Sequence, residues 1–386
     1  MSTSLNITYI DFGPAYGQNG NSGIERKKLA QINELSKLGD VKRLTYSPKG
    51  KRGVLKEASR MLPFAPSMFY FKYCPEKLDG VDIVYYRKAY IDRYAIKLLR
   101  EIKRKNPKCI ILFEIPTYPY DKEKSGFIRM PLMLKEKWNR RKLYKFVDRI
   151  VLVTSKEKEV FRIPTITSLN GIDFNYITIR NIKGLDAGEV HAIMIGNFTF
   201  YHGIDRIIDG LIKYYSNPFP GQKDFILHIV GSGVGVKGYL EKCANAHLEE
   251  KIIFHGSLPL EEVNKVYDEV SIAINSIGRH RVTGTNVDSS IKSREYGAKG
   301  LPVVTEAGIP IDYLPDDYPF VLHIPADESP LDIESVIRFH DRVYKNTSPQ
   351  AVAYGIRSIA ESRCNSEAMM KPVLDYCEGR LMEKVQ

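Results

Sequence analysis

The 386 residues predict an α/β protein built from two Rossmann-like domains. Three observations carry that expectation. An apolar strand, a Gly-rich loop and an apolar-striped helix open the chain, and a second such unit begins near Val190. The charge is divided by sign: residues 1–180 hold 36 Lys and Arg against 18 Asp and Glu, while the remainder holds 21 against 28. Opposite signs suggest two domains, the basic one facing a polyanion or an anionic membrane. Finally, Asp288 to Glu306 reads D-S-S-I-K-S-R-E-Y-G-A-K-G-L-P-V-V-T-E, a capped helix running into a short strand. The length suffices for two cores of ordinary size. No stretch of eighteen apolar residues predicts a membrane span, and M-S-T-S-L-N-I-T-Y-I-D-F lacks a basic n-region or cleavage site, so no secretory signal is expected. Cysteines stand singly at 74, 109, 243, 364 and 377, which predicts reduced thiols in the cytoplasm and no structural zinc.

In chain order, Leu5 to Ile10 is the first strand, followed by D-F-G-P-A-Y-G-Q-N-G-N-S-G. Gly20 and Gly23 there allow backbone to approach a ligand. Ile24 to Leu38 is the first helix, with Leu29, Ile32, Leu35 and Leu38 on one face and Gly39 as its stop. Val41 to Tyr46 is a strand. The basic run Lys49 to Lys56 and M-L-P-F-A-P-S-M-F-Y-F-K follow, with the composition of a membrane-interface element or of a loop packed on its own domain. Asp82 to Tyr86 and Cys109 to Phe113 are strands, with a helix over Tyr90 to Lys105 between them. After the second strand comes E-I-P-T-Y-P-Y-D, where Glu114, Thr117 and Tyr118 are acceptor-cleft candidates. A second basic element is expected as a helix over Phe127 to Phe146, carrying Lys135, Lys137, Arg140, Arg141, Lys142 and Lys145 beside Met130, Leu132, Met133, Leu134 and Trp138. Arg149 to Thr154 is a strand, and Thr165 to Leu169 leads to N-G-I-D. The linker is roughly Tyr176 to Glu189, giving a first domain of 1–180 joined by a terminal helix of 365–386, and a second domain of 188–364.

In the second half Val190 to Ile195 reads as a strand broken by Gly196, and N-F-T-F-Y-H-G-I-D precedes a helix over Ile204 to Tyr214. Phe225 to Val230 ends in G-S-G-V-G. Val236 stands where a dinucleotide fingerprint needs its third glycine, so Gly231 and Gly233 read as a strand-to-helix turn. Strands are expected at Lys251 to Phe254 and Val270 to Asn275, with H-G-S-L-P-L-E-E-V between them and the polar loop I-G-R-H-R-V-T-G-T-N-V after them. Arg279 and Arg281 in that loop either reach phosphate or serve its solvation. In the stretch that follows, Ser289 or Ser290 is the N-cap and Gly300 the stop. Lys292, Glu295 and Lys299 share a face. The free N–H groups and dipole of such a helix start attract phosphate, Lys292 adds a charge one turn in, and the two oxygens of Glu295 suit a ribose diol.

This stretch resembles the signature of the retaining GT-B glycosyltransferases of the group-1 type, glycosyltransferase family 4. Glu295 matches the second Glu of its E-x7-E pattern, and Gly300-Leu301-Pro302-Val303-Val304 matches the tail. The first Glu falls at Val287, with Asp288 one residue away as a shorter carboxylate. The resemblance implies the GT-B fold: two Rossmann-like domains facing across a cleft, with the last helix crossing back to the first. It implies that the second domain holds a nucleotide-diphosphate sugar and the first an acceptor, and that no metal or other cofactor is required. Residue by residue it implies Gly23, Asn197, Gly231, Gly233, Leu258, Ser290, Lys292 and Glu295 for the nucleotide sugar. Asp288, His202 and Lys292 are implied at the reacting centre, with His202-Gly203 where Lys-Gly is usual and Arg206 as a substitute cation. Leu258 belongs to the F-x-G stretch near the nucleobase. The family's His near the E-I-P-T-Y strand end is absent here.

The expected function is therefore retaining glycosyl transfer from a nucleotide-diphosphate sugar to a lipid-linked glycan in surface-polysaccharide assembly. Such a protein works at the cytoplasmic face of the plasma membrane, held there by the basic domain. Nucleic acid is not an expected partner, because no recognisable module accompanies the charge. The alternatives are a non-hydrolysing UDP-sugar epimerase, which turns over donor without acceptor, a dehydrogenase, which needs the broken fingerprint, and a non-catalytic nucleotide-sugar-binding protein.

Overall fold

A computed structural model of the chain describes residues 4–12, 23–46, 59–62, 64–65, 67, 78–120, 130–153, 155–168, 170–182, 184–282, 288–315 and 317–382. The chain divides into two compact units, Met1–Gly171 with Ser366–Gln386, and Ile172–Asn365. Residues Ile172 to Arg180, given to the first domain on sequence, group with the second unit.

The first unit is a seven-stranded sheet. Its elements are β1 (Leu5–Phe12), α1 (Gly23–Leu35), β2 (Gly39–Tyr46), β3 (Ile83–Arg87), α2 (Arg93–Lys105), β4 (Ile110–Ile115), α3 (Met130–Arg140), β5 (Arg149–Leu152), β6 (Glu159–Val160) and β7 (Ile163–Thr167). The order is β2-β1-β3-β4-β5-β7-β6, parallel except for the β6–β7 pair. The central strands β3, β4 and β5 are near-continuous apolar runs because both faces are covered, whereas β2 at the edge has no fully buried residue. Alternation sorts them into two cores: Ile10, Val84, Tyr86, Ile111, Phe113, Ile150 and Leu152 on one face, and Ile7, Tyr9, Ile83, Tyr85, Ile110, Leu112 and Val151 on the other. Tyr86 stacks on Phe113 at 4.9 Å in the first core, and Tyr9 on Tyr85 at 5.3 Å in the second. The basic helix expected over Phe127 to Phe146 is shorter. α3 ends at Arg140, and Leu143–Lys145 form a separate 3-10 turn. Among the notable sequence features, Gly20, the run Lys49 to Lys56 and much of M-L-P-F-A-P-S-M-F-Y-F-K lie outside the described residues.

The second unit contains β8 (Glu189–Phe198), α4 (Ile204–Ser216), β9 (Asp224–Gly233), α5 (Val236–Asn245), β10 (Ile252–Gly256), α6 (Leu260–Glu269), β11 (Ile272–Ile274), α7 (Ile291–Lys299), β12 (Val303–Glu306), β13 (Val321–Ile324), α8 (Ile333–Tyr344) and α9 (Pro349–Cys364). Its sheet is wholly parallel, in the order β10-β9-β8-β11-β12-β13. Two expectations are corrected here. Gly196 does not break β8, and Gly231 and Gly233 are not a strand-to-helix turn. The strands pair over ten residues each, with Gly196 opposite Gly231 and Phe198 opposite Gly233. A Cβ on Gly231 would lie 1.9 Å from the Gly196 carbonyl oxygen, and one on Gly233 2.0 Å from that of Phe198. The glycines permit this approach, and Gly231 also sits at φ +132°.

The last helix, α10 (Ser366–Met382), belongs to the first unit. Met370, Val373 and Cys377 join the core that contains Ile7 and Leu35, and the Ser168 hydroxyl donates to the Met369 carbonyl at 2.8 Å. The chain thus returns to its first unit after completing the second.

Candidate functional site

The carboxyl ends of β8, β11 and β12 carry a cluster of buried polar groups, the place where open parallel sheets hold ligands. It is built around the start of α7. Ser290 is the N-cap, its hydroxyl accepting from the Ser293 N–H at 3.3 Å, and Gly300 closes the helix at φ 73°. Lys292 leaves the first turn toward the end of β11, where its ammonium donates to Ser276 Oγ at 2.5 Å. Among the described residues no carboxylate pairs with it in hydrogen-bonding range. Burial pulls the Lys292 ammonium down to about 7, with the charge of Asp288 opposing. Glu295 stands half-buried one turn further along.

Asp288 is fully enclosed. Its carboxylate accepts from Arg279 at 2.6 Å, Asn275 Nδ2 at 2.5 Å, the Ser290 N–H at 3.0 Å and the Ser290 hydroxyl at 3.3 Å. Burial works against its charge, but Arg279 and the Asn275 donor outweigh this and hold the carboxyl below the usual range. Four donors occupy the carboxylate's lone-pair directions. Asp288 therefore fixes Arg279 and the helix start, and its geometry leaves no oxygen directed at a ligand. Glu306, at the end of β12, receives the N–H groups of Arg279 and His280 and the His280 ring, holding the same loop from its other side.

His202 enters from the 3-10 turn Phe200–His202 after β8. That turn is tied to the β11 end by Ile277 N–H to the His202 carbonyl at 3.1 Å and Gly278 N–H to the Tyr201 carbonyl at 3.2 Å. Gly203, at φ 75°, packs so closely that a Cβ would meet Ile277 at 2.8 Å. His202 Nδ1 accepts from the Thr199 N–H at 3.0 Å, which assigns the proton to Nε2. Burial, then the charge of Lys292, pulls its pKa to about 3. His202 therefore does not supply the positive charge of the Lys that is usual at this place; it is a neutral donor throughout the physiological range. Its Nε2 lies beside bare backbone, 3.4 Å from where a Cβ of Gly196 would stand.

Other sequence candidates fall elsewhere. Arg206 is not a substitute phosphate cation. It is buried, donating to the carbonyls of Ser329 at 2.7 Å, Pro325 at 3.0 Å and Ile277. Arg281 pairs with Asp205 at 2.7 Å and with Glu328. Lys299 turns to Asn264 at 2.8 Å and Thr178 at 3.2 Å. Asn197 is exposed on β8 opposite Ser232, and Leu258 lies past β10, two strands away from β8. Asn275 and Ser276 were not singled out on sequence, although their place directly after an apolar strand is a usable signal.

In the first unit Gly23 opens α1. Glu114, at the end of β4, is fully buried beneath α1 and accepts from Arg87 at 2.7 Å, Gln31 and Tyr85 at 2.9 Å each and Lys27 at 3.2 Å. Burial alone would raise its carboxyl, yet Arg87 and Lys27 hold it at about 2. Glu114 is therefore an internal counter-ion and not an open cleft group. Thr117 and Tyr118 are half-buried, and Tyr118 meets Tyr120 and Phe161 edge-on at 6.3 Å. No group of His, Cys, Asp and Glu side chains among the described residues has the arrangement of a metal site.

No protein-family profile matches the sequence, and comparison with curated proteins finds no match. Solved structures do match over the full length. A glycosyltransferase from Rickettsia africae superposes with a TM-score of 0.64 at 14% identity, covering 98% of this chain and 99% of its own. Sucrose-phosphate synthase from Thermosynechococcus elongatus gives 0.63 at 13%, covering 99% and 100%. Anabaena HepE, solved with UDP and glucose, gives 0.61 at 10%, covering 97% and 100%. On this full-length structural similarity, and with two parallel-sheet units and a last helix returning to the first of them, the chain has the GT-B fold.

Proposed function

We propose that the protein is a glycosyltransferase whose second unit binds a nucleotide-diphosphate sugar, and that it transfers the sugar with retention at the anomeric carbon. One observation carries this reading: a helix start, a lysine without a carboxylate partner among the described residues and a neutral histidine donor meet beside bare glycine backbone. These are donors arranged for an anion that the protein itself does not supply. The N–H groups at the start of α7 and the Lys292 ammonium take the diphosphate, and Glu295 takes the ribose hydroxyls. His202 donates from Nε2 to the phosphate or the transferred sugar. As the glycosidic bond to the diphosphate breaks, these donors stabilise the charge on the leaving group without a required metal or cofactor. Asp288 acts as a positioning residue through Arg279 and Ser290. HepE, similar in fold, was solved with UDP and glucose, which favours UDP among the bases. Gly231 and Gly233 serve this site through the β8–β9 approach, while Asn197, Leu258 and Gly23 stand as outlying contacts to donor or acceptor. Thr117 and Tyr118 stand as acceptor contacts.

The acceptor in this reading is a lipid-linked glycan of a surface polysaccharide, met at the anionic cytoplasmic leaflet. The supporting observation is the excess of 36 basic over 18 acidic residues in positions 1–180. Each basic residue near such a surface contributes about 1 kcal/mol. A thermal-shift series with UDP, GDP, dTDP and NAD, run beside Glu295→Ala, tests the donor site. Stabilisation by one nucleoside diphosphate and its loss in the variant is the expected result. Stabilisation by NAD alone, or by none, overturns the reading. Consumption of a nucleotide sugar without acceptor would favour the epimerase.

A further inference from the structure

Helix α3 is amphipathic in the reverse sense. The face packed into the first unit carries Leu132 together with Lys135, Glu136 and Asn139, all buried. The outward face carries Met130, Leu134 and Trp138, at successive i, i+4 positions and therefore in one stripe. Trp138 is 66% exposed. Of the inward polar groups, Glu136 forms an ion pair with Lys88 at 3.0 Å, and the Asn139 side chain donates to the Lys135 carbonyl at 2.8 Å. Lys135 has a further consequence. Its buried ammonium donates to the carbonyls of Arg60 at 2.7 Å and Ala65 at 3.0 Å, clamping a turn against the helix. That turn is laced again by Arg60 Nε to the Ser67 carbonyl at 2.8 Å and Ser67 N–H to Asp92 at 2.7 Å. It holds out Leu62 and Phe64, the latter 76% exposed. Five large apolar side chains are thus presented to water by a framework of buried polar bonds.

The surroundings of this patch are basic. Residues 130–145 contain six Lys or Arg and one acid, Glu136, which is buried. Lys137, Arg141 and Lys145 are exposed. Lys142 lies 5.9 Å from the Trp138 ring centre, and Tyr144 is flanked by Arg162 at 4.6 Å and Lys145 at 6.0 Å. An apolar stripe rimmed by one sign of charge, with Trp and Tyr among the cations, has the chemistry of an element lying in the headgroup region of an anionic bilayer. We infer that α3 and the Lys135-clamped turn form the membrane-docking surface, with Met130, Leu134, Trp138, Leu62 and Phe64 entering the acyl boundary and the basic rim binding anionic headgroups. This deepens, and rests on, the reading that the acceptor is membrane-borne. A face made for a protein would carry acids among its bases for pairing, and the exposed part of this segment has none.

Trp138 is the chain's single tryptophan, so its fluorescence reports this surface alone. The experiment titrates the full chain with vesicles of phosphatidylcholine, with and without phosphatidylglycerol. A blue shift of emission and protection from acrylamide with phosphatidylglycerol only, reversed by salt, is expected. Phe64→Ser with Leu134→Ser should weaken binding roughly a hundred-fold. Lys137→Gln with Arg141→Gln and Lys145→Gln should do so to a similar extent, on the order of a hundred-fold. Both variants change exposed groups and should keep the parent's unfolding midpoint. No shift with the anionic vesicles, or the same shift with phosphatidylcholine alone, overturns the proposal. So does an equal shift produced by DNA, or by raising the protein concentration without lipid. The nucleotide thermal shift reads the second unit independently, so a chain that binds vesicles but no nucleotide, or the reverse, separates failure of one reading from failure of the other.

Discussion

Both units gather buried ions at the carboxyl ends of their sheets, and the two gatherings are balanced differently. In the first, the carboxylates are central. Glu114 is enclosed by Arg87, Lys27, Gln31 and Tyr85, and Asp11 by Lys28 at 2.7 Å, Arg43 at 2.8 Å and Thr45 at 2.6 Å. Each acid has its cations, and the result fastens α1 to the sheet. In the second, Asp288 has Arg279, but Lys292 has only a hydroxyl in hydrogen-bonding range among the described residues, and the neighbouring His202 is neutral. A saturated cluster holds structure together. The second cluster leaves one ammonium, Lys292, without a carboxylate in hydrogen-bonding range among the described residues, and that is the feature on which the proposed diphosphate site rests.

The contrast can be broken most forcefully at Glu114. Glu114→Ala strands two buried cations and should cost the first unit about 3–5 kcal/mol in urea unfolding, while leaving the nucleotide response of the second unit in place. Gly231→Ala should cost about 1–3 kcal/mol, since a Cβ 1.9 Å from the Gly196 oxygen must part β8 from β9. It should also blunt nucleotide binding by shifting Gly196 beside His202. Lys292→Met is the opposite case. Removing an ammonium with no carboxylate partner should leave stability unchanged or raised by about 1 kcal/mol. Nucleoside diphosphate affinity, read by calorimetry, should fall roughly 10- to 100-fold.

The finest test is pH. Glu114 titrates near 2 when folded, below its ordinary 4.5, so its contribution is full above about 4.5 and is lost as pH falls toward 2. Lys292 titrates near 7 when folded against 10.5 when free. Between those values the unfolded chain binds the extra proton, so stability of the unliganded protein should rise with pH across that window. That component of the slope should vanish in Lys292→Met. Diphosphate binding should correspondingly be tighter below pH 7 than above it, relative to the same variant.

What could be read from the sequence about the site is what depends on near neighbours. The cap at Ser290 and the stop at Gly300 follow from bonds within three or four residues, and the helix between them was placed within a residue of its observed ends. The strand cores were legible because unbroken apolar runs have few other uses. Two of the corrected assignments share one property, which is distance along the chain. Arg206 was a candidate ligand until carbonyls 71, 119 and 123 residues away claimed its guanidinium. Glu114 was a cleft candidate until α1, 83 and 87 residues earlier, closed over it.

By itself, then, the sequence determined two α/β units of opposite charge, the order of their elements and the capped start of α7, because hydrogen bonds to neighbouring residues and side-chain periodicity are local quantities. Only the tertiary structure decided which ions are neutralised. It showed that Gly231 serves strand pairing, that Asp288 is spent on Arg279 and that Lys292 meets Ser276 in place of a carboxylate. The charge and solvation of a side chain depend on what is packed against it, and that is fixed by register and topology across the whole unit.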